Sequence, residues 1–510
     1  MNQKTVSIIE FGSTAIRLLI AEIGKEDGWK ILDRAEKPVP FGREVFFSGN
    51  LSRSSMSLAI KTLNMFTELL DSWGVLKEDV HVLATSALRE ARNRDTFIDR
   101  VWIQTGFRIN VVEGIEENRL TYLAVKYAIR DTRPSLIRSN LMIIEVGGGS
   151  TELMLLRKGK MVAAHSLRIG TVRMEQMVKD AQESGENISR IIAQSIRTMS
   201  DMVDVELKLK RISNFIAVGN DVRLAARRVG EEKTPMYSII QREAFEDFVY
   251  SLRHLSIEDC VAKFQITYNE AEGLVPSLFI YLTMLEQTSA DKIVVPKVSL
   301  REGMLLSLVF GPNQELQQEF YSQVVASAVN LGRKFHFDED HAKHVTNLAL
   351  LLFDEMRDEH AMDQDTRLLL EVAGILHDIG TFIKTSGHHK HGQYIVANSE
   401  IFGLHRDDLE IISNIIRYHR KGRPQSVHLS YSSLSREERL KVVKLTAILR
   451  VADALDRSHL QHVEGFTLEQ SDEELILHCN YSGDISVERY GLELKGDLFE
   501  EVFGVRVALA

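Results

Sequence analysis

Ile8-Ile9-Glu10-Phe11-Gly12-Ser13-Thr14 and Ile143-Ile144-Glu145-Val146-Gly147-Gly148-Gly149-Ser150-Thr151-Glu152 are two versions of one pattern, set about 135 residues apart, an interval of ordinary domain size. In each, an apolar run reads as a buried strand, an acidic residue ends it, and glycine and hydroxyl residues make a tight turn. A second strand follows each turn, over residues 16–23 and 153–156. Glycine admits a ligand close to the backbone, and successive N–H groups in such a turn form an anion nest. One such turn alone is as well read as a plain hairpin. Two strand–acid–Gly–Ser/Thr–strand units predict a duplicated fold that grips a phosphate from both sides, with Glu10 and Glu145 placed to hold a metal ion.

At 510 residues the chain is too long for one core. Its 44 % hydrophobic and 26 % charged content are those of ordinary globular proteins. No apolar run approaches the roughly 18 residues of a membrane span. The start, Met1-Asn2-Gln3-Lys4, leads into a strand without a signal-peptide pattern, so a cytoplasmic protein with no membrane partner is expected. Cys260 and Cys479 are the two cysteines, too few for a disulfide framework or a cysteine metal site. A net charge of −10 argues against a specific nucleic-acid partner but leaves room for an anion in a local basic cleft. The basic stretches at 208–211, 223–228, 388–390 and 417–423 read first as solvated faces.

The first half alternates strands and helices: a helix over 54–76, strand 80–84, strand 109–113, helix 116–129, a turn at Arg133-Pro134-Ser135, and a restart at Leu141. That is an α/β fold in two related lobes with a cleft between them. Residues 315–460 read as helical, with apolar periodicity over 320–335, 341–356 and 365–376. The tail returns to strands at 475–479, 485–488, 492–494 and 505–509. Four domains are expected: 1–130, 131–308, 309–462 and 463–510, the last small and β-rich with some helix.

Two further motifs lie between the cradles. Glu113-Gly114-Ile115-Glu116-Glu117-Asn118-Arg119-Leu120 ends a strand and opens a helix. Its acidic pair either complements the helix dipole or offers a general base to water. Thr85-Ser86-Ala87-Leu88-Arg89 is either a capped helix start or a phosphate site. With Leu300-Arg301-Glu302-Gly303-Met304-Leu305, these pieces resemble the exopolyphosphatase / guanosine pentaphosphate phosphohydrolase family over nearly the full length. That family belongs to the acetate-kinase, sugar-kinase, heat-shock chaperone and actin superfamily. The resemblance implies two ribonuclease-H-like, actin-like ATPase lobes. It also implies that Glu117 activates water, that Glu152 is a second catalytic carboxylate, and that Arg89 and Arg17 contact substrate phosphate. Gly12, Ser13, Thr14 and the run Gly147, Gly148, Gly149, Ser150 and Thr151 would cradle the phosphate, and Glu10 and Glu145 would hold Mg²⁺. The family carries aspartate at both cradles where this chain has glutamate, a side chain longer by one C–C bond, about 1.5 Å. It also carries a Gly/Ser/Thr-rich turn where this chain has Gly219-Asn220-Asp221, and Asp221 would repel a polyphosphate.

The helical region resembles an HD-type phosphohydrolase domain on the pattern His341, His377-Asp378 and Asp453, which implies a second divalent metal. His389, His391 and His419 are further candidate ligands. The leading expectation is a Mg²⁺-dependent hydrolase releasing terminal phosphate from inorganic polyphosphate, guanosine pentaphosphate or both, and the resemblance implies a homodimer. Two alternatives stand beside it: a polyphosphate- or alarmone-binding regulator without turnover, and nucleotide hydrolysis in the HD-type domain.

Overall fold

The computed structural model describes residues 4–24, 28–131, 139–175, 194, 208–310, 314–420, 422–470 and 473–510. The turn predicted at Arg133-Pro134-Ser135 lies outside them. The chain divides into two compact units, Met1–Glu319 and Phe320–Ala510.

The first unit holds two sheets. Strands β1 (Lys4–Phe11), β2 (Ala15–Ile23), β3 (Trp29–Pro38), β4 (Val80–Ala84) and β5 (Ile109–Val111) lie in the order β3-β2-β1-β4-β5. The second sheet comprises β6 (Leu141–Val146), β7 (Thr151–Arg157), β8 (Lys160–Leu167), β9 (Asn214–Val218), β10 (Glu231–Thr234), β11 (Tyr237–Gln241) and β12 (Lys292–Pro296), in the order β10-β11-β12-β9-β6-β7-β8. Read from β8, this sheet repeats the first: two antiparallel hairpins, then two strands parallel to the central one. The central strands β1 and β6 are buried along most of their length, as continuous apolar runs covered on both faces must be. The duplication expected from the two cradles is therefore a duplication of topology.

Helices Gly114–Ala128 and Leu300–Phe310 meet backbone to backbone. A Cβ on Gly303 would lie 2.2 Å from the Leu120 carbonyl oxygen and 2.6 Å from its carbon. Backbone atoms cannot swing aside as a side-chain tip can. Gly303→Ala is thus expected to destabilise the protein by about 1–3 kcal/mol, as overpacking generally does. A thermal melt tests this, and an unchanged midpoint would show that the two helices can separate freely.

The second unit is helical and ends in a small sheet of β13 (Val463–Gln470), β14 (Glu474–Tyr481) and β15 (Arg506–Leu509). One apolar core runs from Val324 through the helices to Val507, so sheet and helices share it. The predicted helical stretches appear as Gln314–Lys334, Glu339–Glu355 and Gln364–Leu376. The strands predicted at 485–488 and 492–494 are instead one helix, Ser486–Lys495. Leu492-Glu493-Leu494-Lys495 alternates like a strand, but the buried positions are Glu488, Gly491, Leu492 and Lys495, a helical spacing. Among the described residues no helix is long and apolar enough to cross a membrane.

Candidate active site

Each cradle is a short turn closed by its own backbone. Gly12 N–H donates to Ala15 O (3.0 Å) and Gly147 N–H to Ser150 O (2.9 Å). The two turns press against each other: a Cβ on Gly148 would stand 2.8 Å from Ser13 Cβ. Ser13 Oγ in turn meets Ser86 Oγ at 3.1 Å, which brings the Thr85–Arg89 motif to the same place. Gly12, Ser13, Thr14, Gly147, Gly148 and Ser150 line a cleft of about 1290 Å³ that opens to solvent. Gly149 and Thr151, expected in the cradle, are not among its lining residues. Gly149 packs under Phe46 and Ser86, and the Thr151 hydroxyl donates to Ile169 O at 2.7 Å.

Register sets the charges. Glu10 stands opposite Arg17 across β1 and β2, while the equivalent pair across β6 and β7 is Glu145 opposite Glu152. Like charges directly opposite on neighbouring strands are destabilising. Burial pushes the Glu145 carboxyl up to about 7, with the charges of Glu117 and Glu10 adding to it. Burial also lifts Glu152 well above the usual carboxylate range, with Glu117 next in effect. Among the described lining residues, seven carboxylates face three guanidinium groups, Arg17, Arg223 and Arg301. One of the seven is Asp221, which burial raises to about 6. An anion could enter such a cleft only with cations. The acidic donors are all oxygen, the set suited to Mg²⁺.

The helix Gly114–Ala128 delivers one carboxylate and braces two others. Glu117 and Asn118 are buried, and Thr121, four and three residues further on, shares their side of the helix. Asn118 Nδ2 donates to Glu152 (3.2 Å) and Thr121 Oγ1 to Glu145 (2.6 Å), while Ser166 Oγ holds the other oxygen of Glu152 at 2.7 Å. Arg89 is not among the cleft-lining residues. It pairs with Glu117 and donates to Val112 O at 2.6 Å, holding the carboxylate from behind. Burial raises the Glu117 carboxyl in spite of that pairing.

The Leu300–Leu305 motif also finds its reason here. Arg301 reaches Glu10 at 3.5 Å, on the side opposite Arg17 at 3.8 Å. Glu302 caps its own helix through Ser299 and binds Arg34. Tyr281, unremarked in the sequence, accepts from Val146 N–H at 3.0 Å and donates to Val218 O, tying the ends of β6 and β9 together.

In the second unit, His341, His377 and Asp453 lie close enough to share an ion, and Asp378 reaches His341. His341 Nε2 lies 3.2 Å from His377 Nε2 and 4.0 Å from Asp453 Oδ1. His419 joins them; His389 and His391 do not, and His388, missed in the sequence, takes their place. A run of His-His-Lys-His on one helix offered no spacing by which to choose among its histidines.

Residues 19–310 match the Ppx/GppA phosphatase family, and residues 325–489 match domain III of the Ppx/GppA phosphatases. The chain is 24 % identical to a guanosine-5'-triphosphate,3'-diphosphate pyrophosphatase of Pseudoalteromonas translucida over 461 residues, covering 88 % of this chain and 87 % of that one. A protein of the same name from Photobacterium profundum is 24 % identical over 480 residues, 92 % and 90 % of the two chains. The fold is that of the Aquifex aeolicus Ppx/GppA family member (24 % identity, TM-score 0.50, 61 % of this chain and 99 % of that one). An exopolyphosphatase from Cytophaga hutchinsonii shares it too (20 %, 0.53, 60 % and 98 %). With more than half its length matched, this chain belongs to the Ppx/GppA phosphatase family, hydrolases built on actin-like lobes.

Proposed function

We propose that this chain is a Mg²⁺-dependent phosphoanhydride hydrolase, releasing terminal phosphate from guanosine pentaphosphate, inorganic polyphosphate or both. The observation that carries it is the Glu145–Glu152 pair, a half-buried and a buried carboxylate directly opposite each other at the foot of the second glycine turn. Glu10 and Glu145 would hold the ion, which when bound would offset the charge of the substrate phosphates. The backbone of Ser13, Thr14, Gly148 and Ser150 binds the terminal phosphoryl group. Glu117, oriented by Arg89, takes the proton of the attacking water. Positioning and charge carry this chemistry, which asks for little covalent work from the protein.

The relatives named for guanosine-5'-triphosphate,3'-diphosphate support the nucleotide as substrate, and the exopolyphosphatase of the same fold supports the polymer. Asp221 and the acidic excess favour a second reading, binding without turnover. Phosphate release by the full chain, with Mg²⁺ and with chelator, separates the two on long-chain polyphosphate and guanosine pentaphosphate offered singly. Release that stops on chelation is expected. A folded protein that binds both and releases from neither would establish the regulator. In the second unit, we further propose that His341, His377, Asp378 and Asp453 take one divalent ion, in the manner of an HD-type domain.

A further inference from the structure

In the second unit His341, His377, His388 and His419 form a cluster of buried imidazoles whose outer nitrogens are all committed. His377 Nδ1 meets Gly374 O at 2.7 Å, His388 Nδ1 meets Thr385 O at 2.9 Å, and His419 Nδ1 meets Ile416 O at 2.7 Å. A carbonyl oxygen only accepts, so each Nδ1 carries the hydrogen. His341 Nδ1 lies 2.8 Å from the Asp456 carboxylate, which imposes the same tautomer. In the neutral rings all four Nε2 atoms therefore present lone pairs inward. They do so in two facing pairs, His341 with His377 and His388 with His419, each at 3.2 Å. Lone pairs at that separation repel unless positive charge lies between them. Asp378 stands between the pairs, with Oδ2 3.9 Å from His377 Nε2 and Oδ1 3.1 Å and 3.5 Å from His388 and His419 Nε2.

We propose that this unit binds two divalent first-row transition-metal ions, the second held by Asp378, His388 and His419. The inference rests on the one-ion reading of the HD-type cluster for its first ion, with Asp378 bridging the two. The second site is the better formed. Its three donor atoms are 3.1, 3.2 and 3.5 Å apart. An ion about 2.1 Å from each would see donor–metal–donor angles of about 95° to about 113°, near the tetrahedral value. Asp453 keeps Oδ1 toward the first site while its other oxygen pairs with the buried Lys495. That pairing fixes the carboxylate as outer partners fix metal ligands elsewhere. Imidazole nitrogen suits iron, cobalt, nickel and zinc rather than Mg²⁺, so this centre and the all-oxygen cleft would load different metals.

The test is the metal content of the full chain, stripped with chelator, reloaded with Co²⁺ in excess Mg²⁺ to fill the cleft, and desalted. Two cobalt ions per chain are expected, falling to one in His388→Gln/His419→Gln. X-ray absorption of the wild-type protein should show imidazole ligation and a Co–Co vector of about 3.5–4 Å, a readout independent of how the variant folds. One ion, with no Co–Co vector and no loss in the variant, would overturn the second site and leave the one-ion reading intact. No ion in the wild type would overturn both and leave protons as the charge between the rings.

Discussion

Glu117→Gln is expected to slow phosphate release by roughly 10²- to 10⁴-fold, the usual worth of a general base. The substitution keeps shape and removes one function. Glutamine still accepts from Arg89, and Arg89 keeps its bond to Val112 O, so the guanidinium is not stranded. Fold and substrate binding should survive, since the variant also removes a charge that raises Glu145 and Glu152. The loss should therefore appear in kcat with KM little changed, the pattern of an interaction made in the transition state. Steady-state kinetics on either substrate would read it. A variant that keeps the wild-type kcat would remove Glu117 from the mechanism, and a loss confined to KM would make it a binding residue.

Glu145→Gln is expected to abolish activation by Mg²⁺ and yet to stabilise the metal-free protein at neutral and higher pH. The folded-state value of about 7 lies above the ordinary 4.5, so between those values the folded chain keeps a proton that the unfolded chain has released. Stability from this group is complete below about 4.5 and is lost as pH rises through about 7, by an amount of order 3 kcal/mol. Glu152 and Asp221 are shifted in the same direction, so the metal-free wild type should melt lower at pH 8 than at pH 5. Glu145→Gln should flatten part of that slope. Added Mg²⁺ should raise the wild-type midpoint at pH 8 and leave the variant's unmoved. Melts at the two pH values, with and without Mg²⁺, would measure both effects. An unchanged Mg²⁺ response in the variant would exclude Glu145 as a ligand.

The parts of this site legible in the sequence are those encoded within a few consecutive residues. The cradles show themselves because an apolar run, an acid and a glycine turn occupy one contiguous stretch, and the stretch recurs. Even the opposition of Glu145 and Glu152 follows from counting outward from the four-residue turn Gly147–Ser150. The helical face Glu117, Asn118, Thr121 is likewise legible from its period. The cluster in the helical unit was legible as far as the His-Asp pair and its apolar neighbours reached. The choice of His388 over His389 and His391 was not, since adjacent helical residues differ by rotation, and only a packed neighbour such as His419 says which way is inward.

What the chain by itself determined is the duplicated α/β plan, the two cradles, the change to helices in the last third and the identity of most acidic residues at the centre. Local backbone geometry writes such features into residue spacing. Tertiary structure alone decided that Arg89 stands behind Glu117, that Arg301 reaches Glu10 from nearly 300 residues away, that Gly303 must be bare against Leu120, and that residues 486–495 coil rather than extend. It also set the proton affinity of Glu145, because that depends on how much water the carboxylate loses and which charges remain near it. Both are properties of elements brought together from distant parts of the chain, and no local pattern records them.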